Sequence, residues 1–197
     1  PSPIQDQIIP HILAGRDVVG LAATGTGKTA AFLVPTINKT LKERNRLTLI
    51  LAPTRELAIQ VEQELRKLTP KMGIYSTTCV GGMNIRPQIM GLKRRNHFII
   101  GTPGRVQDLM DRGHIKPGAI TTVILDEADR MLDMGFIDDV RKILSKCSVN
   151  ENEERQFSLF SATINFSALY SVWEFMREPE EILINPELID HANITQE

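Results

Sequence analysis

Three carboxylates fall within four positions at Asp126-Glu127-Ala128-Asp129, directly after the apolar run Val123-Ile124-Leu125. So much like charge at one point is costly unless something neutralises it. A second stretch offers a reason to hold it. Ala22-Ala23-Thr24-Gly25-Thr26-Gly27-Lys28-Thr29 follows the apolar run DVVGL and leads into a helical pattern. Gly25 and Gly27 let the backbone turn tightly and aim N–H groups at phosphates, and a helix N-terminus adds partial positive charge. Lys28 is placed to reach the β- and γ-phosphates of a nucleotide, and the Thr29 hydroxyl to ligate magnesium. The usual form of this loop begins with Gly, where this chain has Ala22.

The carboxylate stretch has the form of the matching magnesium-side motif, in which a buried strand delivers an Asp at its end. Asp126 then faces Mg²⁺, largely through water. Glu127 orients or deprotonates the attacking water, and Asp129 needs a donor from a neighbouring strand end. Each stretch has a plain alternative: a Gly-rich turn capping a helix, and acids that N-cap the next segment. Occurring together in a strand-before, helix-after setting, they favour a nucleotide site.

Positioning these groups requires strands that end where the chemistry begins. Strand patterns cover Asp17–Ala22, Thr48–Ala52, Ile74–Val80, Phe98–Gly101, Thr122–Leu125, Gln156–Ser161 and Glu181–Ile184. Several are apolar throughout, as expected for strands covered on both faces. Between them lie helical stripes: Leu57, Val61, Leu65 and Leu68; Ile137, Val140, Leu144 and Cys147; Phe166, Leu169, Trp173 and Met176. Strict alternation predicts an α/β fold, a mainly parallel sheet flanked by helices on both faces, with its chemistry at the carboxyl ends of the strands. Pro35 predicts a kink or restart in the helix after the phosphate loop. The tail from Pro186 to Glu197 has no clear period and reads as a linker or frayed end.

Composition narrows the class. With 197 residues, 42% hydrophobic and 24% charged, the chain fits one soluble globular domain. A net charge of −1 provides no global basic field, so any polyanion surface is local. Cys79 and Cys147 are far apart and no histidines cluster, which argues against a disulfide framework or a zinc site and for a reducing cytoplasm. No apolar run approaches the length of a membrane span. A chain that opens on PSPIQ with no initiator Met reads as part of something longer.

The motifs resemble, in order and over nearly the whole chain, the first RecA-like domain of a DEAD-box RNA helicase. They are PSPIQ at Pro1–Gln5, AATGTGKT at Ala22–Thr29, PTRELA at Pro53–Ala58, Gly81-Gly82, TPGR at Thr102–Arg105, DEAD at Asp126–Asp129 and SAT at Ser161–Thr163. The resemblance implies a RecA-like, P-loop NTPase type of domain over residues 1–185 and a linker over 186–197, with a second RecA-like domain outside this sequence. It implies ATP and Mg²⁺ as ligands and RNA as a sequence-independent partner. It also implies an arginine finger supplied by the second domain.

Residue by residue, the resemblance assigns Gln5 to the adenine edge, which suits an amide offering both donor and acceptor. The spacing Ser2-Pro3-Ile4-Gln5 is also a capping box with Pro at the first helical position, so the amide has two candidate duties. Ala23, Thr24, Gly25, Thr26, Gly27, Lys28 and Thr29 hold the nucleotide, with Thr29 and Asp126 at the metal and Lys28, Asp126 and Glu127 catalytic. Pro53, Thr54, Arg55, Gly81, Gly82, Thr102, Pro103, Gly104 and Arg105 grip the RNA backbone, by helix-start N–H groups and guanidinium groups. Ser161 and Thr163 bond Asp129 and couple hydrolysis to RNA handling. Lys93-Arg94-Arg95 reads as a solvated face.

Two departures stand out. The family usually has Gln where this chain has Ala23, and the aromatic residue and Gly upstream of the glutamine motif lie before Pro1. The competing readings are a DNA-directed helicase or other P-loop ATPase, and a nucleotide-gated interaction module. PTRELA and TPGR argue against the first, and complete Lys28, Thr29, Asp126 and Glu127 against the second.

Overall fold

The computed structural model describes residues 1–147, 155–163 and 166–184. Seven strands form one sheet in the order β3-β4-β2-β5-β6-β1-β7, with every pairing parallel. They are β1 (Val18–Leu21), β2 (Thr48–Leu51), β3 (Ser76–Cys79), β4 (Phe98–Gly101), β5 (Thr122–Leu125), β6 (Gln156–Ser161) and β7 (Glu180–Leu183). The helices are α1 (Pro3–Leu13), α2 (Lys28–Lys42), α3 (Arg55–Leu68), α4 (Ile85–Leu92), α5 (Pro103–Asp111), α6 (Ala128–Asp133), α7 (Ile137–Cys147) and α8 (Phe166–Trp173). All seven predicted strands exist: β4, β5 and β6 keep the predicted bounds, β1, β2 and β3 are shorter at one or both ends, and β7 is shifted by one residue.

Alternation along the strands separates two cores. Leu49, Leu51, Val123, Leu125 and Leu159 pack on one face with Val140, Ile143 and Leu144 of α7. Ile50, Ile124 and Phe160 pack on the other with Ile4 and Ile8 of α1, Phe32 of α2 and Val61 of α3. Both faces are thereby dry, which is why these strands read as unbroken apolar runs. The first two helical stripes lie against these cores. Of the third, Trp173 and Met176 pack on the α7 side, while the side chains of Phe166 and Leu169 lie outside the described residues, as does the tail from Pro186 to Glu197.

Of the kink or restart expected at Pro35, the restart does not occur. Helix α2 runs through Pro35 as a single element of 15 residues. Pro35 removes the helical N–H that would reach the Ala31 carbonyl, and hydroxyls on the following turns add side-chain bonds to the helix backbone. The Thr36 hydroxyl donates to the Phe32 carbonyl at 2.7 Å and to that of Leu33 at 3.0 Å, and Thr40 donates to Thr36 at 2.9 Å. Packing of Phe32, Leu33 and Pro35 in the core holds the helix on both sides of the ring.

Candidate nucleotide site and strand-end loops

The strand order sorts the motifs into two groups along the carboxyl edge of the sheet. The phosphate loop follows β1, SAT closes β6 and DEAD follows β5, and these three strands are adjacent. PTRELA follows β2, TPGR follows β4 and Gly81-Gly82 follows β3, and these are adjacent too. The β2–β5 pairing is the border between the groups.

In the first group, the loop from Ala22 ends at Gly27, which caps α2 with φ of 90°. A side chain there would be strained by the backbone, and its Cβ would stand 2.5 Å from Gln5 Nε2. Gln5 uses both ends of its amide. Its Oε1 accepts from the Ser2 N–H at 3.0 Å, and its Nε2 donates to the Gly27 carbonyl at 3.2 Å. The N-terminal helix is thus stitched directly to the phosphate loop. Within the loop, Thr26 donates its hydroxyl to the Ala23 carbonyl at 2.7 Å. Thr24 and Gly25 are exposed, and Thr29 is half-buried in the first turn of α2.

Lys28 is buried, and its ammonium donates to the Ala22 carbonyl at 2.7 Å. Burial pushes its pKa down, while Asp126, Asp129 and Glu127 pull it back up. Asp126 shows the complementary effect. Burial, then the neighbouring Glu127, raises its pKa to about 6, against the lowering influence of Lys28. One lysine therefore does not satisfy this group of carboxylates.

The three acids have separate environments. Asp126 directly follows β5, with its N–H on the Leu51 carbonyl at 2.9 Å. Glu127 adopts a left-handed backbone, φ 51° and ψ 54°, and caps α6. That conformation is uncommon for a side-chain-bearing residue and swings the glutamate out of the strand line. Its Oε2 accepts from Arg130 at 2.6 Å. Asp129 is buried; its Oδ2 accepts from the Thr163 hydroxyl at 3.0 Å, and its Oδ1 has no partner among the described residues. The Ser161 hydroxyl, expected to bond Asp129, instead donates to the Thr163 carbonyl at 2.8 Å. Ser161 faces the turn of its own motif, so it can fix the position of Thr163 and not supply the second donor.

In the second group, Thr54 caps α3 by accepting from Leu57 N–H at 3.1 Å, beside a buried Pro53. Arg55 and Gly81-Gly82 are exposed, and the Arg55 guanidinium lies 3.4 Å from where a Gly82 Cβ would be. Thr102 accepts from the Gly81 N–H at 3.3 Å, while Pro103 and Gly104 start α5. Arg105, expected at the RNA backbone, is engaged within the protein. Its Nη1 donates to Gln88 at 2.9 Å and to the Met83 carbonyl at 3.2 Å, and Nη2 donates to Met83 at 3.3 Å. This arginine holds the Gly81-Gly82 loop in place.

A family model described as DEAD/DEAH box helicase matches residues 2–172. The chain belongs to the DEAD/DEAH box helicase family. It is 45% identical to the DEAD-box ATP-dependent RNA helicase CshA of Streptococcus pneumoniae, over 98% of this chain and 37% of that protein. It is also similar to a DEAD box protein from Methanococcus jannaschii, with TM-score 0.86 and 39% identity over 94% of this chain and 50% of that one. The yeast DEAD-box splicing factor Prp28 gives TM-score 0.89 and 31% identity, over 95% and 46% of the two chains. This DEAD-box chain thus spans little more than a third of the curated relative and about half of these solved chains.

Two side chains and one backbone carbonyl at these strand-end loops escaped sequence reasoning. Arg130 could have been found, since it stands three residues after Glu127 in a helical pattern. Gln88 and the Met83 carbonyl could not, because nothing in the spacing links them to Arg105.

Proposed function

We propose that this domain binds Mg·ATP and the RNA backbone, and that with a second RecA-like domain it couples ATP hydrolysis to RNA unwinding or remodelling. The observation that carries this reading is the meeting of Lys28 with Asp126, Glu127 and Asp129 at the ends of neighbouring strands, beside a separate row of helix starts on β2, β4 and β3. The curated relative is named an ATP-dependent RNA helicase, which supports the same substrate pair.

The phosphate loop and the start of α2 present N–H groups to the phosphates, and Lys28 exchanges the Ala22 carbonyl for them. Thr29 and Asp126 would hold Mg²⁺, and the buried, under-compensated Asp126 fits a divalent cation. Two protein donors suit an ion that keeps water and phosphate in most of its shell. When bound, the ion neutralises charge developing on the transferred phosphoryl group. Glu127 holds the attacking water, once Arg130 yields it, and accepts its proton. Gln5 contacts the adenine edge when it exchanges its bonds to Ser2 or Gly27. Thr54, Arg55, Gly81, Gly82, Thr102 and Gly104 face the RNA backbone, with Arg105 shaping their loop. These contacts ignore base edges, so binding is independent of sequence. Asp129 and Thr163, at the centre of the edge, pass the state of the nucleotide to that row.

Both cysteines are free and buried, which suits a reducing compartment such as the cytoplasm. Among the described residues no helix is long and apolar enough to cross a membrane.

An arginine finger is worth roughly three to five powers of ten in rate, about 4–7 kcal/mol of barrier. The test compares ATP hydrolysis by this domain with that of the same domain joined to its second RecA-like partner. Orders of magnitude more RNA-stimulated turnover is expected from the joined protein. Equal rates would refute the half-site reading.

A further inference from the structure

Among the described residues, strand β3 is an edge of the sheet and pairs only with β4. Tyr75 and Cys79 aim their carbonyls at β4, accepting from His97 N–H at 2.8 Å and Thr102 N–H at 3.0 Å. Alternation in a parallel ladder turns the N–H and C=O of Ser76 and Thr78 outward. The next outward carbonyl, that of Val80, is taken by Gln88 Nε2 at 3.1 Å.

A groove of about 400 Å³ lies over this open edge, between Ile59 and Arg66 of α3 and Pro87 of α4, and reaches Met83 and Asn84 beside the Gly81-Gly82 loop. A second hollow of about 300 Å³ shares Arg66, Ser76 and Gly91 with it and ends at Tyr75, Arg94 and Arg95. Gly91 keeps the end of α4 against the strand, since a Cβ there would stand 2.9 Å from the Thr77 hydroxyl.

We propose that this groove is a second track for single-stranded RNA, continuing from the Gly81-Gly82 loop along β3 to Tyr75. The proposal rests on the reading of that loop as an RNA contact. Three arginines line the track against one acid, Glu62, which is already paired with Arg66. Positive charge in excess suits a phosphate chain, and the outward N–H groups of Ser76 and Thr78 add donors for phosphate oxygens. Tyr75 is 57% exposed, and its ring stacks on the buried His97 with centroids 5.8 Å apart and planes at 23°. Held flat from behind, it is a platform for a base. An added peptide strand would find only two residues with free ladder groups, and no use for the arginines or the ring. Lys93-Arg94-Arg95, a solvated face by sequence, thus gains a ligand for two of its members.

The test measures affinity of the full-length protein for single-stranded RNAs of increasing length, with a non-hydrolysable ATP analogue and defined salt. Affinity rises with each nucleotide beyond those covered by the strand-end loops, then levels off. Tyr75→Ala removes about tenfold of the long-RNA affinity, Tyr75→Phe restores it, and neither alters binding of the short RNA. Arg94→Gln makes the log–log salt dependence of long-RNA binding shallower by about 0.7. No gain with length in the wild type overturns the proposal, and so does a gain that Tyr75→Ala and Arg94→Gln leave intact. The latter result would return the β3 edge to a peptide strand. Failure to bind RNA of any length would instead strike the proposed function itself.

Discussion

The Thr163 hydroxyl donates to Asp129 Oδ2 at 3.0 Å, across the gap between the ends of β6 and β5. Asp129 is buried and its other oxygen has no partner among the described residues, so this bond carries most of the burden of keeping the carboxylate in place. Ser161 supports it from behind by bonding the Thr163 carbonyl.

Thr163→Ala should therefore destabilise the domain by about 1–3 kcal/mol, the cost of stranding a buried charged acceptor. For a chain of this size that lowers the melting temperature by roughly 2–4 °C per kcal/mol. Thr163→Ser keeps the donor and should recover most of the loss. Calorimetry of the three proteins decides, and an unshifted Thr163→Ala melt would mean that Asp129 finds another donor.

Lys28→Ala should abolish nucleotide binding, since the ammonium facing the three carboxylates is lost along with the phosphate contact. Fluorescent nucleotide titration measures it. Unchanged affinity for ATP would remove the phosphate-loop assignment.

Glu127→Gln in the full-length protein should keep ATP binding and lose turnover, because the amide accepts no proton. A normal steady-state rate would take away its role as base. Arg130, now tied to Glu127 at 2.6 Å, should tolerate Ala without loss of ATP affinity.

His97 supplies a pH prediction remote from the nucleotide. Its Nδ1 accepts from the Tyr75 N–H at 3.1 Å, and burial, then Arg95 and Arg44, push its pKa below the usual 6.5. The unfolded chain then binds the extra proton more readily, so stability is present above about pH 6.5 and falls as the pH drops through the depressed folded value. His97→Asn should flatten that fall. Denaturant melts between pH 7.5 and 5 check it, and identical pH slopes would exclude His97 as the cause.

Much of this was legible in the chain. TLIL, FIIG and TVIL are dry on both faces, so their strands showed as unbroken apolar runs. The phosphate loop and DEAD were readable because a strand end must meet a helix start there. Contacts between distant segments were not. Nothing in the spacing tells that Gln5 bridges to Gly27, or that Arg105 turns to Met83 and Gln88. Pro35 does not restart its helix, because burial of Phe32, Leu33 and Pro35 itself holds the two sides of the ring as one element. Ser161 and Thr163 look equivalent in sequence, yet only one hydroxyl faces the carboxylate.

The central claim is that one edge of the sheet joins an ATP site to an RNA backbone site. Steady-state ATP hydrolysis by the full-length protein, with RNA, with DNA and with neither, tests it most directly. The account predicts strong stimulation by single-stranded RNA of any sequence and little by DNA. Equal rates in all three conditions would contradict it.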